Sequence, residues 1–289
     1  MKFQRDPTTD MAYWFPLVKR TGVPIPKTVL VKTSINLIPL LDGEKPPGFD
    51  GFMVKIKGAI KKIGLPCFLR TGYLSGKHDW KETCFVNDLS KIGHHIYNLA
   101  EFSAIADLLG FPTNTWAVRE MIPVKMWFHA FVGEMPVTRE VRVFFRDKQI
   151  EHWQPYWPPD SIRQPDNPDW KSLIEECNTV TEEELATVFN LTHRLMTTFE
   201  GYWSCDWLQD INGNWIMIDM ADGDRSFKWN PPKKKERRRC RLSFPAMKNL
   251  RPPTAPTLVW VGSIQTGTLP SQAGGRRLSA KRMAENALP

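Results

Sequence analysis

The chain alternates short apolar runs with breaks marked by glycine and proline, and the spacing inside the runs switches between helical and extended. After an early apolar segment, Pro24 and Pro26 in Gly-Val-Pro-Ile-Pro-Lys-Thr (22–28) predict an extended approach to a short strand over Val29, Leu30 and Val31. Apolar residues at 52, 53, 56, 59, 60 and 63 repeat with helical spacing, and Gly64 provides a stop. Residues 66–70 read as a strand, 71–81 as a polar glycine-containing loop and 84–86 as a returning strand, so a hairpin with a long tip is expected. Asp88 is placed to cap a helix that runs toward Leu109, before Gly110 and Pro112.

A strand follows over 115–122. Beyond 123–136, residues 139–145 alternate charged and apolar side chains as a half-buried strand does, and 146–148 turn the chain into a partner over 149–153. Residues 153–169, rich in proline and aromatics, read as an ordered loop packed by its own rings. Thr181-Glu182-Glu183-Glu184 is a capping-box start to a helix ending near Gly201, with acids at its positive end. Asp-Ile-Asn-Gly-Asn (210–214) then joins two apolar runs as a hairpin, because Asn and Gly tolerate the positive φ that such turns need. Strands and helices without regular alternation predict α+β layers.

That last hairpin carries the first chemical signal. It brings Asp206 back beside Asp219, with Asp222 close behind. Carboxylates drawn together repel one another unless a cation sits among them, and hard oxygen ligands suit magnesium with a nucleotide phosphate completing its shell. An exposed hairpin of solvated acids is the other reading of the same residues. Basic groups precede it: Arg70 ends a strand, and Lys77 lies in Gly-Tyr-Leu-Ser-Gly-Lys-His (72–78), whose glycines let backbone amides approach an anion. This is not a Walker loop, since the glycines are too close and His78 follows the lysine.

Composition and charge refine the picture. A hydrophobic content of 42% over 289 residues is enough for the core of one large or two modest domains. No apolar run approaches the roughly 18 residues of a membrane span, and the start of the chain lacks the apolar centre of a signal peptide, so a cytoplasmic protein without membrane contact is expected. The five cysteines have no metal-binding spacing and read as buried, reduced thiols. The net charge of +8 is unevenly placed: thirteen of the 39 Lys and Arg, but only two of the 31 Asp and Glu, follow Pro232. That tail opens with Lys-Lys-Lys-Glu-Arg-Arg-Arg-Cys-Arg and reads as largely disordered, either a solvated extension or an electrostatic tether to RNA, DNA or an acidic protein.

Taken in order, these parts resemble the ATP-grasp fold over roughly residues 20–228, in which two α+β subdomains clamp ATP. The resemblance implies a leading segment (1–50), an ATP-grasp domain (51–230) divided into a phosphate-loop subdomain (51–117) and a metal-binding subdomain (118–230), and the basic tail (231–289). Phe-Leu-Arg-Thr-Gly-Tyr-Leu-Ser-Gly-Lys resembles the strand and phosphate loop, which puts Arg70 and Lys77 on the phosphates. Val-Arg-Glu-Met-Ile (118–122) resembles the interlobe segment, which puts Glu120, Met121 and Ile122 at the adenine or ribose. Arg-Glu-Val-Arg-Val-Phe (139–144) resembles a strand of a divergent branch containing many phage and bacterial proteins and the eukaryotic cell division cycle protein 123. Arg142 would then reach the phosphates and, with Lys77, act in catalysis. Asp206, Asp219 and Asp222 take the magnesium positions, although Ala221 stands where metabolic members carry Asn.

The activity implied is ATP-dependent ligation, in which a carboxylate becomes an acyl phosphate and an amine captures it, with a protein or peptide as acceptor. The alternatives are an ATP-binding protein-assembly factor without turnover and a nucleic-acid-binding protein acting through the tail.

Overall fold

In the computed structural model, residues 7–106 and 110–231 are described. Their helices and strands follow in the order α1 (Met11–Thr21), β1 (Thr28–Lys32), α2 (Phe49–Ile63), β2 (Cys67–Thr71), β3 (Phe85–Val86), α3 (Ile92–Ile105), β4 (Thr115–Glu120), β5 (Met126–Ala130), β6 (Met135–Thr138), β7 (Glu140–Arg146), β8 (Gln149–Pro155), α4 (Trp170–Cys177), α5 (Glu182–Met196), β9 (Tyr202–Gln209) and β10 (Trp215–Asp222). The tail from Pro232 on, with the disorder and tethering expected of it, lies outside the described residues.

The caps explain most boundaries. Gly48 and Gly64, both at positive φ, bracket α2, so the helix begins three residues before its apolar repeat. Thr181 and Glu184 make the reciprocal pair expected at the start of α5: Thr181 Oγ1 accepts the Glu184 N–H at 3.1 Å and the Glu184 carboxylate accepts the Thr181 N–H at 2.8 Å. The helix stops at Met196 rather than near Gly201. Asp88 caps a short 3-10 turn that leads into α3, and α3 ends at Ile105, short of Leu109.

Two four-stranded antiparallel sheets organise the fold, with orders β1-β4-β2-β3 and β10-β9-β7-β8. Alternation decides what each face does. On the first sheet Val31, Cys67, Leu69, Trp116 and Val118 pack against Phe52, Ile56 and Ile60 of α2 and Ile96 and Leu99 of α3, so Arg70 and Arg119 belong to the opposite face. On the second, Val141, Val143, Trp203, Cys205, Trp207 and Met217 share a core with α1 and α5, which leaves Glu140, Arg142 and Asp206 on the other face. Each sheet thus has one helix-covered face and one face bearing charge. These are the two α+β layers expected of an ATP-grasp fold.

Two elements were not anticipated. Residues 123–138 hold the β5–β6 hairpin, a separate two-stranded sheet, and α4 follows the aromatic loop. Together with Trp157 and Ile162 they form a third apolar cluster. Among the described residues no helix is long and apolar enough to cross a membrane, and Cys67, Cys84, Cys177 and Cys205 are buried free thiols.

Candidate functional site

The strand registers align four polar residues in one row across the second sheet. Arg142 pairs with Gln154 on one side and Asp206 on the other, and Asp206 pairs with Asp219. A register shift between Met217 and Asp219 puts Asp219 opposite Asp206. The Arg142 guanidinium grips both Asp206 oxygens, Nε at 2.7 Å and Nη2 at 2.8 Å. Burial alone would lower the Arg142 pKa, but Asp206 outweighs it and holds the group above its usual range.

The first sheet supplies cations to the same cleft. Arg70 Nη1 lies 2.8 Å from Asp219 Oδ1, and the arginine is 4% exposed. Burial works to raise the Asp219 pKa, yet Arg70 and Arg119 dominate and keep it below the ordinary carboxylate range. Arg119 gives one N–H to the Ile218 carbonyl and another to Thr28 Oγ1, while its Nη2 is buried without a partner. Burial, reinforced by Arg70, pulls Arg119 down from the usual arginine value. Arg119 and Glu140 have no role in the sequence reading; for Arg119 the available signal was a charge following the apolar run Trp116-Ala117-Val118.

Lys77 stands above Tyr156, 3.9 Å from the ring centroid, and 3.8 Å from Glu140 Oε2. Burial would lower its pKa, but Tyr156 and Glu140 prevail and raise it. Glu140 receives the Thr138 hydroxyl on Oε1 at 2.9 Å, and its Oε2 is buried with no hydrogen bond. Burial above all, with Asp206 adding to it, raises the Glu140 pKa against the pull of Lys77.

These groups line one cleft of about 190 Å³, with Arg70, Lys77, Arg119, Glu140, Asp206 and Asp219 around its polar part and Phe68, Val124, Met135, Leu208 and Ile218 around its apolar part. Glu120, Met121 and Ile122 also line it. The Glu120 carboxylate accepts the Lys27 N–H at 2.6 Å. Arg142 adjoins the cleft through Asp206 and through Tyr156, whose ring centroid is 4.8 Å from its guanidinium. Asp222 lies elsewhere: it pairs with Trp203 and spends its carboxylate on the Asp224 N–H at 3.0 Å. Two of the three expected carboxylates are therefore brought together, and among the described residues no group of three or more His, Cys, Asp or Glu is gathered for a metal.

The glycine loop is fastened at both ends. Gly72 donates to the Thr115 carbonyl at 2.8 Å and accepts the Met11 N–H at 3.0 Å. Further along, the His78 ring stacks on Phe131 at 4.3 Å, and Gly133 of the β5–β6 turn bonds His78 O and receives the Lys81 N–H. Phe131 and Glu134 hold positive φ at this turn, and Glu134 pairs with Lys81. Burial, then the nearby Lys77 charge, lowers the His78 pKa.

The family profile described as ATP-grasp domain, R2K clade family 3, matches residues 35–228. No curated protein sequence matches the chain. Among solved structures, N5-carboxyaminoimidazole synthetase from Staphylococcus aureus is similar at 12% identity and a TM-score of 0.41, over 74% of this chain and 44% of that one. The VanG D-Ala:D-Ser ligase from Enterococcus faecalis is similar at 10% identity and a TM-score of 0.44, over 74% and 52%. The D-alanine–D-alanine ligase from Bacillus anthracis, complexed with ATP, is similar at 8% identity and a TM-score of 0.42, over 74% and 53%. The chain thus spans less than half of the synthetase and about half of the two ligases.

Proposed function

The chain belongs to the ATP-grasp domain family, R2K clade family 3, and from that membership we propose that it is an ATP-dependent ligase that activates a carboxylate as an acyl phosphate for capture by an amine. The observation that carries this reading is the ion pair across the cleft, in which cationic Arg70 of one sheet meets Asp219 of the other at 2.8 Å. Cations set against carboxylates suit a nucleotide with its metal, because phosphates recruit the first and the metal the second.

Asp206 and Asp219 fit magnesium, which is commonly held by one or two carboxylates together with substrate phosphates. When bound it neutralises phosphate charge. Asp222, with its carboxylate turned to Asp224, is left to hold the turn after β10. Arg70 and Lys77 take the phosphates and Arg142 orients Asp206. The backbone of Met121 and Ile122, beside the apolar wall, takes the adenine, while Glu120 anchors the segment to Lys27. In the reaction a carboxylate oxygen attacks the γ-phosphorus, and the bridging P–O bond breaks with its electrons going to ADP. An amine nitrogen then attacks the acyl carbon, releasing phosphate and a proton. Fixed cations stabilise the phosphoryl charge, and a closed glycine loop keeps water from the acyl phosphate. A protein or peptide acceptor belongs to the same proposal.

One feature favours a second reading, an ATP-binding assembly factor without turnover: both oxygens of Asp206 are engaged by Arg142, so the metal position is already neutralised. Calorimetry of the full chain with ATP, with and without magnesium, followed by an ADP-release assay with pooled carboxylates and amines, separates the two. Magnesium-dependent binding with acceptor-stimulated ADP release supports the ligase. Binding without ADP release supports the second reading, and a folded protein that binds no ATP overturns both.

A further inference from the structure

The chain that leaves β10 returns over the charged face of the second sheet. Ser226 exchanges a hydrogen bond with Ser204 at 2.6 Å. The Phe227 carbonyl then accepts from two side chains, Gln154 Nε2 at 3.1 Å and Arg142 Nη1 at 3.3 Å. Two residues on, the Trp229 N–H donates to Gln154 Oε1 at 2.9 Å, its carbonyl lies 3.2 Å from His152 Nε2 and its indole N–H donates to the Pro155 carbonyl at 3.0 Å. Gln154 is completely buried, and both ends of its amide are given to this segment. The segment is held mainly through its main chain. The Phe227 side chain is 63% exposed and Lys228 is also exposed.

This seating places a neutral carbonyl oxygen where the local chemistry favours an anion. The guanidinium of Arg142 gives its Nε and Nη2 to Asp206, and the remaining nitrogen, with the amide N–H of Gln154, converges on Phe227 O. The Arg142 bond to the carbonyl has a charged donor only, and a charged oxygen in that position would make both partners ionic. Of the side chains on this segment, those of Phe227 and Lys228 face solvent and that of Trp229 is half-buried. The seat is in register with Asp206 and Asp219, the proposed metal ligands.

We propose that residues 226–229 form a strap, latched by Gln154, that occupies an oxyanion seat between Arg142 and Gln154, and that the terminal phosphate of a bound nucleotide takes this seat by lifting the strap. The identity of the oxyanion rests on the ligase reading above; the seat itself rests on the contacts of Phe227 and Trp229.

The test is amide hydrogen exchange over residues 227–229, with tryptic cleavage after Lys228, in the full chain. The probes are a non-hydrolysable ATP analogue, ADP and inorganic tripolyphosphate, each with magnesium. The analogue and tripolyphosphate are expected to raise both rates about tenfold, the factor given by losing one or two modest hydrogen bonds, and ADP to leave them unchanged. An analogue bound by calorimetry with no change in exchange, or equal release by ADP, overturns the proposal. If no nucleotide binds, the ligase reading fails and the seat is judged on tripolyphosphate alone: release upholds it and no release overturns it. Trp229→Pro removes the N–H that Gln154 holds and, with the indole, the bond to the Pro155 carbonyl. It should tighten tripolyphosphate binding about tenfold, whereas Phe227→Ala should bind it as the unmodified protein does. Unchanged tripolyphosphate affinity in Trp229→Pro would overturn the latch.

Discussion

Arg70 and Asp219 belong to different sheets, yet their side chains meet at 2.8 Å, with the arginine side chain 5% exposed and the aspartate 36%. The aspartate is therefore the counter-charge of a buried cation before any metal arrives. The two halves of the cleft are tied together at the point where phosphate and metal would sit.

Asp219→Asn should consequently do two things. It removes magnesium-dependent ATP binding, and it leaves Arg70 without its partner. Breaking a fully buried pair costs about 3–5 kcal/mol; screening at the partly exposed aspartate reduces this to roughly 1–3 kcal/mol. Denaturant unfolding at neutral pH measures the second effect and calorimetry the first. A variant as stable as the unmodified protein would show that the pair is not structural.

Acid should weaken the fold through the same residue. The Asp219 pKa is depressed, so the native state binds fewer protons than the unfolded chain near the ordinary aspartate value. Its contribution is fully present above that value and is lost as pH falls through the depressed one. Asp219→Asn should flatten the acid limb of a stability–pH curve between about pH 5 and 2.

Glu140 has the opposite sign. Its pKa is raised, chiefly by burial, so the stability associated with its protonated form is present below the ordinary glutamate value and declines as pH rises through the raised one. Lys77 opposes this shift, Asp206 reinforces it and Thr138 bonds the other oxygen. Melting curves from pH 4 to 8 should show a smaller decline on the alkaline side for Glu140→Gln than for the unmodified protein.

Arg142→Lys keeps the charge but loses the fork that grips both oxygens of Asp206. A point ammonium cannot reproduce the bidentate bond. A double-mutant cycle with Asp206→Asn should give a coupling of about 1–3 kcal/mol, and nucleotide turnover should fall by about 10–100-fold, the effect of about 1.4–2.7 kcal/mol on the barrier.

Gly133→Ala tests the fastening of the glycine loop. A Cβ at Gly133 would overlap the backbone of Asp79 and Trp80, so the hairpin and the loop must separate. The expected loss is about 1–3 kcal/mol, as for other overpacked sites, with faster proteolysis at Lys77 and Lys81. Unchanged cleavage would show that the two elements can shift together.

The parts of this site that depend on short-range rules were legible in the sequence. The Asn-Gly turn and its flanking apolar runs brought Asp206 back near Asp219, though the register shift after Met217 sets them directly opposite, and Thr181 with Glu184 announced the start of α5 through side chains three residues apart. The glycines around 64 and 72 punctuated the chain where the structure turns. Asp222 was harder, because side-chain direction alternates and Asp222 shares the face of Met220 rather than that of Asp219; a single-residue shift near Met217 decides this and has no sequence signature. The β5–β6 hairpin was harder to read because the positive φ values of its turn fall on Phe131 and Glu134 and not on Gly133. For α4 a signal was present, since Trp170, Leu173, Ile174 and Cys177 recur at helical spacing, but the proline-rich stretch before it masked the change of period. Kinship with cell division cycle protein 123 rests on motif resemblance alone.

The glycine loop, held at Gly72 by α1 and β4 and at His78 by the β5–β6 turn, has a thermodynamic consequence. A free loop of this kind would lose about 1–2 kcal/mol of backbone entropy for each residue it immobilised on a ligand. Here most of that ordering accompanies folding, so nucleotide association should carry a small conformational-entropy penalty.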